Sequence, residues 1–157
     1  MKALKLVAAG TALFISSWTA QAGVTFDNIK SKGFVQCGVS TAVAGFSVNV
    51  SKGGWTGLDV ELCRALAVAM FGDASKSKIM ATSALQRFTA LQWGEVDVLP
   101  RNTTLTLTRD TTLGLFFSAI TYFDGQALMV KKTMNIKSAK DLGGATVCVQ
   151  GGTTTEL

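Results

Sequence analysis

Short apolar runs alternate with longer amphipathic stretches between residues 34 and 99, and this alternation admits few architectures. The short runs, which we predict to be buried strands, are Phe34–Val39 (FVQCGV), Lys78–Ala81 and Val96–Leu99. The stretch Leu58–Phe71 and the stretch opened by Ser83-x-x-Gln86, which has the form of a capping box, are predicted to be helices. Strands that alternate with helices in this way indicate a parallel sheet with helices on its faces, which is an α/β fold.

Each predicted helix is expected to bury one apolar face. In the first helix that face comprises Leu58, Leu62, Ala65, Leu66, Ala69 and Met70, and in the second it comprises Leu85, Phe88 and Leu91. Asp59 and Glu61 in the first turn complement the helix dipole, while Gly72 and Gly94 follow the two helix ends. The stretch Asn49–Thr56 (NVSKGGWT) is predicted to be a turn.

A second, incomplete set of elements follows. Gln126–Val130 and Ala145–Val149 are predicted to be strands, and Ser138–Leu142 is predicted to be a short helix that a glycine pair closes. The sequence ends within Gly151–Leu157, where a further helix is expected to begin. We therefore expect an amino-terminal fragment of a longer protein.

Residues 1–22 have the pattern of a secretory signal peptide. Lys2 and Lys5 precede an apolar run, Leu6–Ile15, and Ala20-Gln21-Ala22 supplies a cleavage site, with cleavage expected after Ala22. The apolar run is too short for a membrane anchor, which needs about 20 apolar residues. The sequence therefore predicts an exported protein, and the remaining length suits one domain better than two.

The composition excludes several classes of protein. With 48% hydrophobic and 16% charged residues, the chain is globular rather than disordered. Its net charge of +5 is spread along the sequence, without the clustered basic face that nucleic-acid binding needs, so no nucleic-acid partner is expected. The chain has no histidine, no G-x-S-x-G motif and no phosphate-binding G-x-x-x-x-G-K-[ST] motif, so we expect no catalytic residue.

Three cysteines, Cys37, Cys63 and Cys148, lack the spacing of a metal site, and we expect neither a metal nor a cofactor. Export permits disulfides, but an odd count leaves at least one thiol without a partner in the chain. A bridge between Cys37, in a predicted strand, and Cys63, in the following helix, is one interpretation. The favoured interpretation is that all three cysteines are small, buried apolar residues.

The segment Arg101–Asp110 (RNTTLTLTRD) concentrates hydrogen-bond donors after a predicted strand. One interpretation is an amphipathic strand, because Thr104, Thr106 and Thr108 alternate with leucines. The other is an anion site, in which Arg109 binds a carboxylate through two parallel hydrogen bonds and the hydroxyls complete the shell. In parallel sheets, ligands bind beyond the carboxyl ends of the strands, where this segment begins.

The segment Gly151–Glu156 (GGTTTE) is a second concentration of donors, placed at a predicted helix start. For this segment alone, a glycine turn followed by a threonine N-cap is the simpler interpretation. Its backbone N–H groups and the helix dipole also suit an anion. Two such segments in separate α/β units indicate two halves that close on one small anionic or zwitterionic ligand.

Several groups of residues, taken in order, resemble the family 3 periplasmic solute-binding proteins. They are Gly57–Leu62 (GLDVEL), Arg87-Phe88-x-x-Leu91-x-x-Gly94-x-x-Asp97, Asn102-x-Thr104-x-x-x-x-Arg109 and Val147-x-Val149-x-x-Gly152-Thr153-Thr154. The runs FVQCGV, RNTT and GTTTEL are particularly similar to the general L-amino-acid-binding branch, and the likeness extends from about Asp27 to the last residue.

The resemblance implies a two-lobed clamshell of the periplasmic-binding-protein type, truncated at its carboxyl end. Residues 23–122 would form a nearly complete lobe 1, and residues 123–157 would form the hinge and the beginning of lobe 2. The implied function is binding of a free polar L-amino acid by a monomer and its delivery to the membrane permease of an ABC importer, without catalysis. Two alternatives on the same fold are a dehydratase of cyclic acids and a sensory input domain.

The resemblance also implies roles for individual residues. Arg109 would pair with the ligand α-carboxylate, and Asn102 and Thr104 would hold the α-carboxylate and the α-ammonium. Thr153, with Thr154 beside it, would contact the carboxylate from lobe 2.

Further positions are assigned by the same resemblance. Arg87 would face the ligand side chain, and Phe46 and Trp55 would form apolar parts of the pocket wall. The chain departs from the family pattern at Pro100, where a small residue is usual, and at Leu105, where the branch often has an aromatic residue.

Overall fold

The structure is a computed structural model that describes residues 23–50 and 54–156. Its helices are α1 (Val24–Lys32), α2 (Leu58–Phe71), α3 (Arg87–Gln92) and α4 (Leu107–Thr111), and its strands are β1 (Val35–Val39), β2 (Val48–Val50), β3 (Gly54–Thr56) and β4 (Ser77–Ala81). Short 3-10 helices cover Ala74–Lys76, Lys132–Met134 and Ala139–Leu142. The predicted signal peptide, residues 1–22, lies outside the described residues.

The sheet that organises the first half of the chain is parallel, as predicted. β1 and β4 pair with Val35 opposite Ser77 and Val39 opposite Ala81. A single parallel bridge joins Cys37 to Val98 on the other side of β1. The third predicted strand therefore contributes one bridge rather than a full strand, and the predicted parallel pairing is confirmed.

The helix α2 packs on this sheet, and a disulfide bond between Cys37 and Cys63 joins it covalently to β1. Both half-cystines are fully buried in a cluster with Ile29 and Val35. The favoured prediction for the cysteines is therefore wrong, because two of them form a bridge and Cys148 is an exposed thiol. Sequence spacing alone does not decide this pairing, since it depends on which faces of β1 and α2 meet.

The buried face of α2 differs from the predicted one. Its buried residues are Asp59, Val60, Cys63 and Ala67. Of the residues predicted to face inward, Leu58, Ala65 and Ala69 are exposed, and Leu62, Leu66 and Met70 are half-buried. The helix is apolar nearly all round, so a period of 3.6 residues does not select one face. The disulfide at Cys63 fixes the face that meets the sheet.

The second predicted helix begins later than expected. The Ser83 hydroxyl accepts a hydrogen bond from the Gln86 N–H at 3.2 Å, as in one half of a capping box, and α3 then starts at Arg87. Among the residues predicted to face inward, Leu85 is 72% exposed, and Phe88 and Leu91 are half-buried. The buried residues of α3 are instead Arg87 and Ala90.

Two further segments differ in part from the expectations: one was predicted to be a turn, and for the other a strand was one of the interpretations. Asn49–Thr56 lies in an antiparallel hairpin of β2 and β3, whose residues 51–53 lie outside the described residues. Arg101–Asp110 contains the start of α4, so the amphipathic-strand interpretation is wrong. The Thr106 hydroxyl caps this helix by accepting a hydrogen bond from the Arg109 N–H at 3.2 Å, a role that threonine alternation conceals.

The second half of the chain has little regular structure. Gln126–Val130 and Ala145–Val149 form no strand, so both predictions are wrong. Strand formation needs a neighbouring strand, and none is found for either segment within residues 23–50 and 54–156. The short helix is present as the 3-10 helix Ala139–Leu142, which Ser138 and Asp141 stabilise with a reciprocal capping box.

Among the residues that the structure describes, no helix has the length and apolar character needed to cross a membrane. The division of the chain between residues 122 and 123 into two lobes stays a prediction.

Candidate functional site

The donor-rich segment begins where the sheet ends. Thr82 directly follows β4, and Arg101 follows the bridged Val98 by three residues, so both lie at the carboxyl edge of the parallel strands. Ligands of open parallel sheets bind at this edge. The segment Arg101–Asp110 therefore lies where a binding loop is expected.

Arg109, on which the anion-site hypothesis depends, is buried within α4. Its Nη1 donates a hydrogen bond to the Thr104 carbonyl oxygen at 2.8 Å. Its guanidinium carbon lies 5.1 Å from the centroid of the Phe88 ring, within the range of a cation–π contact. Among the described residues, no carboxylate lies within ion-pair distance of it. Neutral groups thus position the guanidinium of Arg109, and no carboxylate of the described residues neutralises its charge.

Arg87 is more deeply buried, with 1% of its surface exposed. Its terminal nitrogens donate to the Asn102 carbonyl oxygen at 3.0 Å and to the Gly152 carbonyl oxygen at 2.9 Å. Its guanidinium carbon lies 4.6 Å from the Phe88 ring centroid, so one aromatic ring contacts both arginines. Arg87 therefore links the two donor-rich segments through their backbones.

Arg101, which the sequence patterns do not single out as a binding residue, makes more side-chain hydrogen bonds than either of the other two. Its Nη1 donates to the Thr82 carbonyl oxygen, to the Thr82 hydroxyl at 3.0 Å and to the Ser83 carbonyl oxygen at 3.1 Å. Its Nη2 donates to the Asn102 side-chain oxygen at 3.1 Å. The available sequence signal was its position directly after a predicted strand, at the ligand edge of the sheet.

The three guanidiniums and the buried Asp59 form one electrostatic group. Burial, with the charges of Arg101 and Arg109, lowers the pKa of Arg87 to about 10. Burial lowers the pKa of Arg101, against the opposing effect of Asp59, and burial lowers the pKa of Arg109. Burial raises the pKa of Asp59 to about 6, although Arg101 opposes the rise. At neutral pH this group therefore has a surplus of positive charge.

Four buried polar side-chain atoms lack a hydrogen-bond partner among the described residues, and all belong to this group or to its loop. They are Asp59 Oδ2, Arg87 Nε, Arg101 Nε and Thr103 Oγ1. Such atoms are uncommon in folded proteins, because each one costs about 1–3 kcal/mol. Their concentration in one place is typical of a ligand site rather than of a core selected for stability alone.

The two donor-rich segments meet at this place. The Thr104 and Thr154 hydroxyls lie 3.3 Å apart. Thr154 Oγ1 also accepts a hydrogen bond from Gln126 Nε2 at 2.9 Å. The structure thus brings Thr104, whose carbonyl oxygen binds Arg109, next to Thr154.

The segment Gly151–Glu156 forms turns rather than the predicted helix start. The Thr153 hydroxyl donates to the Gln150 carbonyl oxygen at 2.7 Å and contacts the Thr155 hydroxyl. The Glu156 carboxylate accepts a hydrogen bond from the Gly152 N–H at 2.7 Å. The Gly152 N–H belongs to the segment that was predicted to bind an anion. In the structure it binds the Glu156 carboxylate of the same segment.

The two predicted pocket-wall residues, Phe46 and Trp55, are separated in the structure. Phe46 meets Tyr122 edge to face, with ring centroids 5.0 Å apart, and its carbonyl oxygen accepts a hydrogen bond from the Asp59 N–H at 3.0 Å. Phe46 therefore contacts Asp59 through its backbone. Trp55 lines a cleft of about 470 Å³ with Lys78, at the amino ends of β1 and β4. This cleft does not include Arg87, Arg101 or Arg109.

A rim of donors at the carboxyl edge of a parallel sheet, with surplus positive charge, suits the reversible binding of a small anionic group. Within the described residues, no three His, Cys, Asp or Glu side chains are grouped to hold a metal ion. Fold and site together define an α/β solute-binding protein. The chain belongs to the bacterial extracellular solute-binding proteins, family 3, whose family model matches residues 35–151.

The chain is similar to amino-acid-binding proteins along most of its length. It is 53% identical over 150 residues to the general L-amino acid-binding periplasmic protein AapJ of Rhizobium johnstonii, covering 96% of this chain and 44% of that protein. It is 47% identical over 138 residues to the glutamate/glutamine/aspartate/asparagine-binding protein BztA of Rhodobacter capsulatus, covering 88% and 41%. The chain therefore spans less than half the length of these relatives.

Solved structures show the same fold. A periplasmic binding protein of an ABC transporter from Brucella ovis, with glutathione bound, matches with a TM-score of 0.79 and 53% identity over 86% of this chain and 43% of that chain. The cysteine-binding protein from Campylobacter jejuni matches with a TM-score of 0.52 and 32% identity over 54% and 34%. These likenesses confirm the predicted fold, a periplasmic-binding-protein clamshell of which this chain covers a part.

Proposed function

We propose that the protein to which this chain belongs binds a free polar L-amino acid in the periplasm, as a monomer, and delivers it to the membrane permease of an ABC importer without chemical change. One observation carries the proposal: the three buried guanidiniums at the sheet edge form no ion pair with a carboxylate of the described residues. Because a buried charge is costly without a counter-charge, this group favours an anion from solution.

The α-carboxylate of an amino acid supplies that anion, and Arg109 is its proposed partner. Arg109 uses Nη1 for the Thr104 carbonyl oxygen, while its Nε and Nη2 have no acceptor among the described residues. These two nitrogens form one edge of the guanidinium, which matches a carboxylate through two parallel hydrogen bonds. The exposed Thr104 hydroxyl and the Asn102 side chain lie on the same loop and complete the proposed head-group site.

The remaining residues are proposed to surround the ligand from other sides. Thr154, with Thr153 beside it, contributes hydroxyls from the second segment, which the Thr104–Thr154 contact supports. Arg87 lies between the two segments and is proposed to face the ligand side chain. Phe46, whose ring packs on Tyr122 and whose backbone contacts Asp59, is proposed as apolar wall.

The test is calorimetric titration of the complete gene product with the twenty amino acids. Arg109→Ala is expected to weaken binding by about 30-fold or more, because truncating one partner of a desolvated charge pair costs about 2–5 kcal/mol. Arg109→Lys keeps the charge without the two-nitrogen edge, so its affinity is expected to fall between those of the wild type and Arg109→Ala.

Arg64→Ala is the matched control for that experiment. Arg64 pairs with Glu61 on an exposed part of α2 and lies in the cleft at the opposite end of the sheet, so its removal is expected to leave the affinity unchanged. Wild-type affinity in Arg109→Ala, or failure of every amino acid to bind the unchanged protein, would reject the proposed function.

A further inference from the structure

Asn102 is an exposed loop residue whose side chain is held from one side by the buried Arg101. The Arg101 Nη2 lies 3.1 Å from the Asn102 side-chain oxygen. A guanidinium has donors and no acceptor, so the amide atom that faces it has to be the oxygen, and the amide NH2 has to point away. The orientation of this amide is therefore fixed by hydrogen-bond chemistry.

Arg101 is itself rigidly supported. Its other terminal nitrogen donates to three oxygen atoms of Thr82 and Ser83, directly after β4. The side chain is buried, and the nearby Asp59 carboxylate opposes its charge. A continuous set of contacts thus runs from the sheet through Arg101 to the Asn102 amide.

The backbone of Asn102 is fixed separately. Its carbonyl oxygen accepts a hydrogen bond from Arg87 Nη1 at 3.0 Å. Both oxygens of Asn102 are therefore bound by guanidiniums, and the polar group that its side chain leaves for solvent is an NH2 with two donor hydrogens. No acceptor for that NH2 is found among the described residues.

We infer that Arg101 is a positioning residue that makes Asn102 an obligate hydrogen-bond donor, so that Asn102 binds the ligand carboxylate and not the ligand ammonium. The inference rests on the proposed function and deepens it, because the family resemblance leaves Asn102 assigned to either end of the amino-acid head group. It also adds Arg101 to the residues that decide which chemical group the loop accepts.

Asn102→Asp tests the sign of this contact while keeping the shape of the side chain. Aspartate still pairs with Arg101, but it presents an oxygen where asparagine presents its NH2. With the best-binding amino acid, Asn102→Asp in the complete gene product is expected to lose about 100-fold or more in affinity, and Asn102→Ala about tenfold. If the side chain contacted the ammonium, Asn102→Asp would equal or exceed the wild-type affinity, and that result would overturn the inference.

Double variants test whether Arg101 acts through Asn102. Arg101→Met is expected to weaken binding about tenfold when Asn102 is present and less than about twofold in an Asn102→Ala background, because the amide it orients is then absent. Arg101→Lys can still donate to the amide oxygen and is expected to recover part of the loss. Equal losses in both backgrounds would contradict the positioning role.

The orientation of the Asn102 amide can also be tested without ligand, so this test does not depend on the proposed amino-acid binding. In ¹⁵N-labelled protein, the side-chain NH2 signals of Asn102 are assigned by their disappearance in Asn102→Ala. They are expected to be dispersed in the wild type and to move to random-coil positions in Arg101→Met, while the amide signals of β1 and β4 stay in place. Random-coil NH2 signals in the wild type would overturn the inference. If Arg101→Met fails to fold, Arg101→Lys replaces it, and NH2 signals that do not respond to Arg101→Lys would overturn it as well.

Discussion

Two regions of the molecule are rich in apolar residues, yet they are held in different ways. In residues 24–99, Val35, Val39 and Val60 are fully buried between the sheet and its helices. In residues 113–150, large apolar side chains face the surface, with Phe116 87% and Met129 100% exposed. In the first region, paired strands and a packed helix cover these three valines. The difference shows that apolar composition allows a strand, whereas a neighbouring surface decides whether it forms.

Among the predicted changes, removal of the Cys37–Cys63 disulfide is expected to have the largest effect on the free energy of unfolding. Replacing both Cys37 and Cys63 by alanine should lower the free energy of unfolding by about 2–5 kcal/mol, because the unfolded chain is no longer constrained. Urea unfolding followed by circular dichroism measures this loss. Cys148→Ala, at an exposed thiol of the second region, is the control and should change the value by less than about 0.5 kcal/mol. Similar losses in both proteins would show that the two regions are equally constrained.

A change of pH is expected to act on the first region through Asp59. Burial raises the pKa of this carboxyl to about 6, so the folded protein binds its proton more tightly than the unfolded chain does. The resulting stabilisation is complete below about pH 4 and is lost as the pH rises through about 6. Relative to Asp59→Asn, the wild type should therefore gain about 2 kcal/mol between pH 7.5 and pH 4.5.

Urea midpoints of both proteins at the two pH values measure this gain. Glu61→Gln, on an exposed part of the same helix, is the matched control. If Asp59→Asn and the wild type changed in parallel with pH, the buried carboxyl would not be coupled to folding.

The smallest effect is expected in the second region. Val147→Ser and Val149→Ser alter a predicted strand whose side chains are exposed in the structure, so each should change the free energy of unfolding by less than about 0.5 kcal/mol. Val39→Ala, in the buried β1, should cost about 2 kcal/mol or more and serves as the comparison. A cost above about 1.5 kcal/mol for either serine variant would mean that this segment is packed after all.

Strong local patterns made part of the fold predictable. The bounds of α2 agree with the predicted Leu58–Phe71, because a long apolar helix with acidic residues in its first turn leaves little choice. Its buried face was not predictable, since contacts with β1 decide it. Apolar composition alone predicted strands at residues 126–130 and 145–149 and was wrong there, because a partner strand rather than local sequence determines the structure.

The sequence predicted where the candidate site lies better than it predicted which residues form it. Arg109 was found because an arginine in a donor-rich loop at a strand end suits an anion. Arg101 was missed because its burial and its bonds to Thr82 and Ser83 arise from contacts between residues distant in sequence. One interpretation placed Thr106 in a strand, and it instead caps a helix, which shows that threonine alternation does not distinguish the two structures.

The bridge between Cys37 and Cys63 has a consequence for how the protein matures. Under the predicted export from the amino end, these two thiols would reach an oxidising compartment before Cys148, because they precede it in the chain. The native pair would then form before the third thiol is available, and this order would disfavour mispairing.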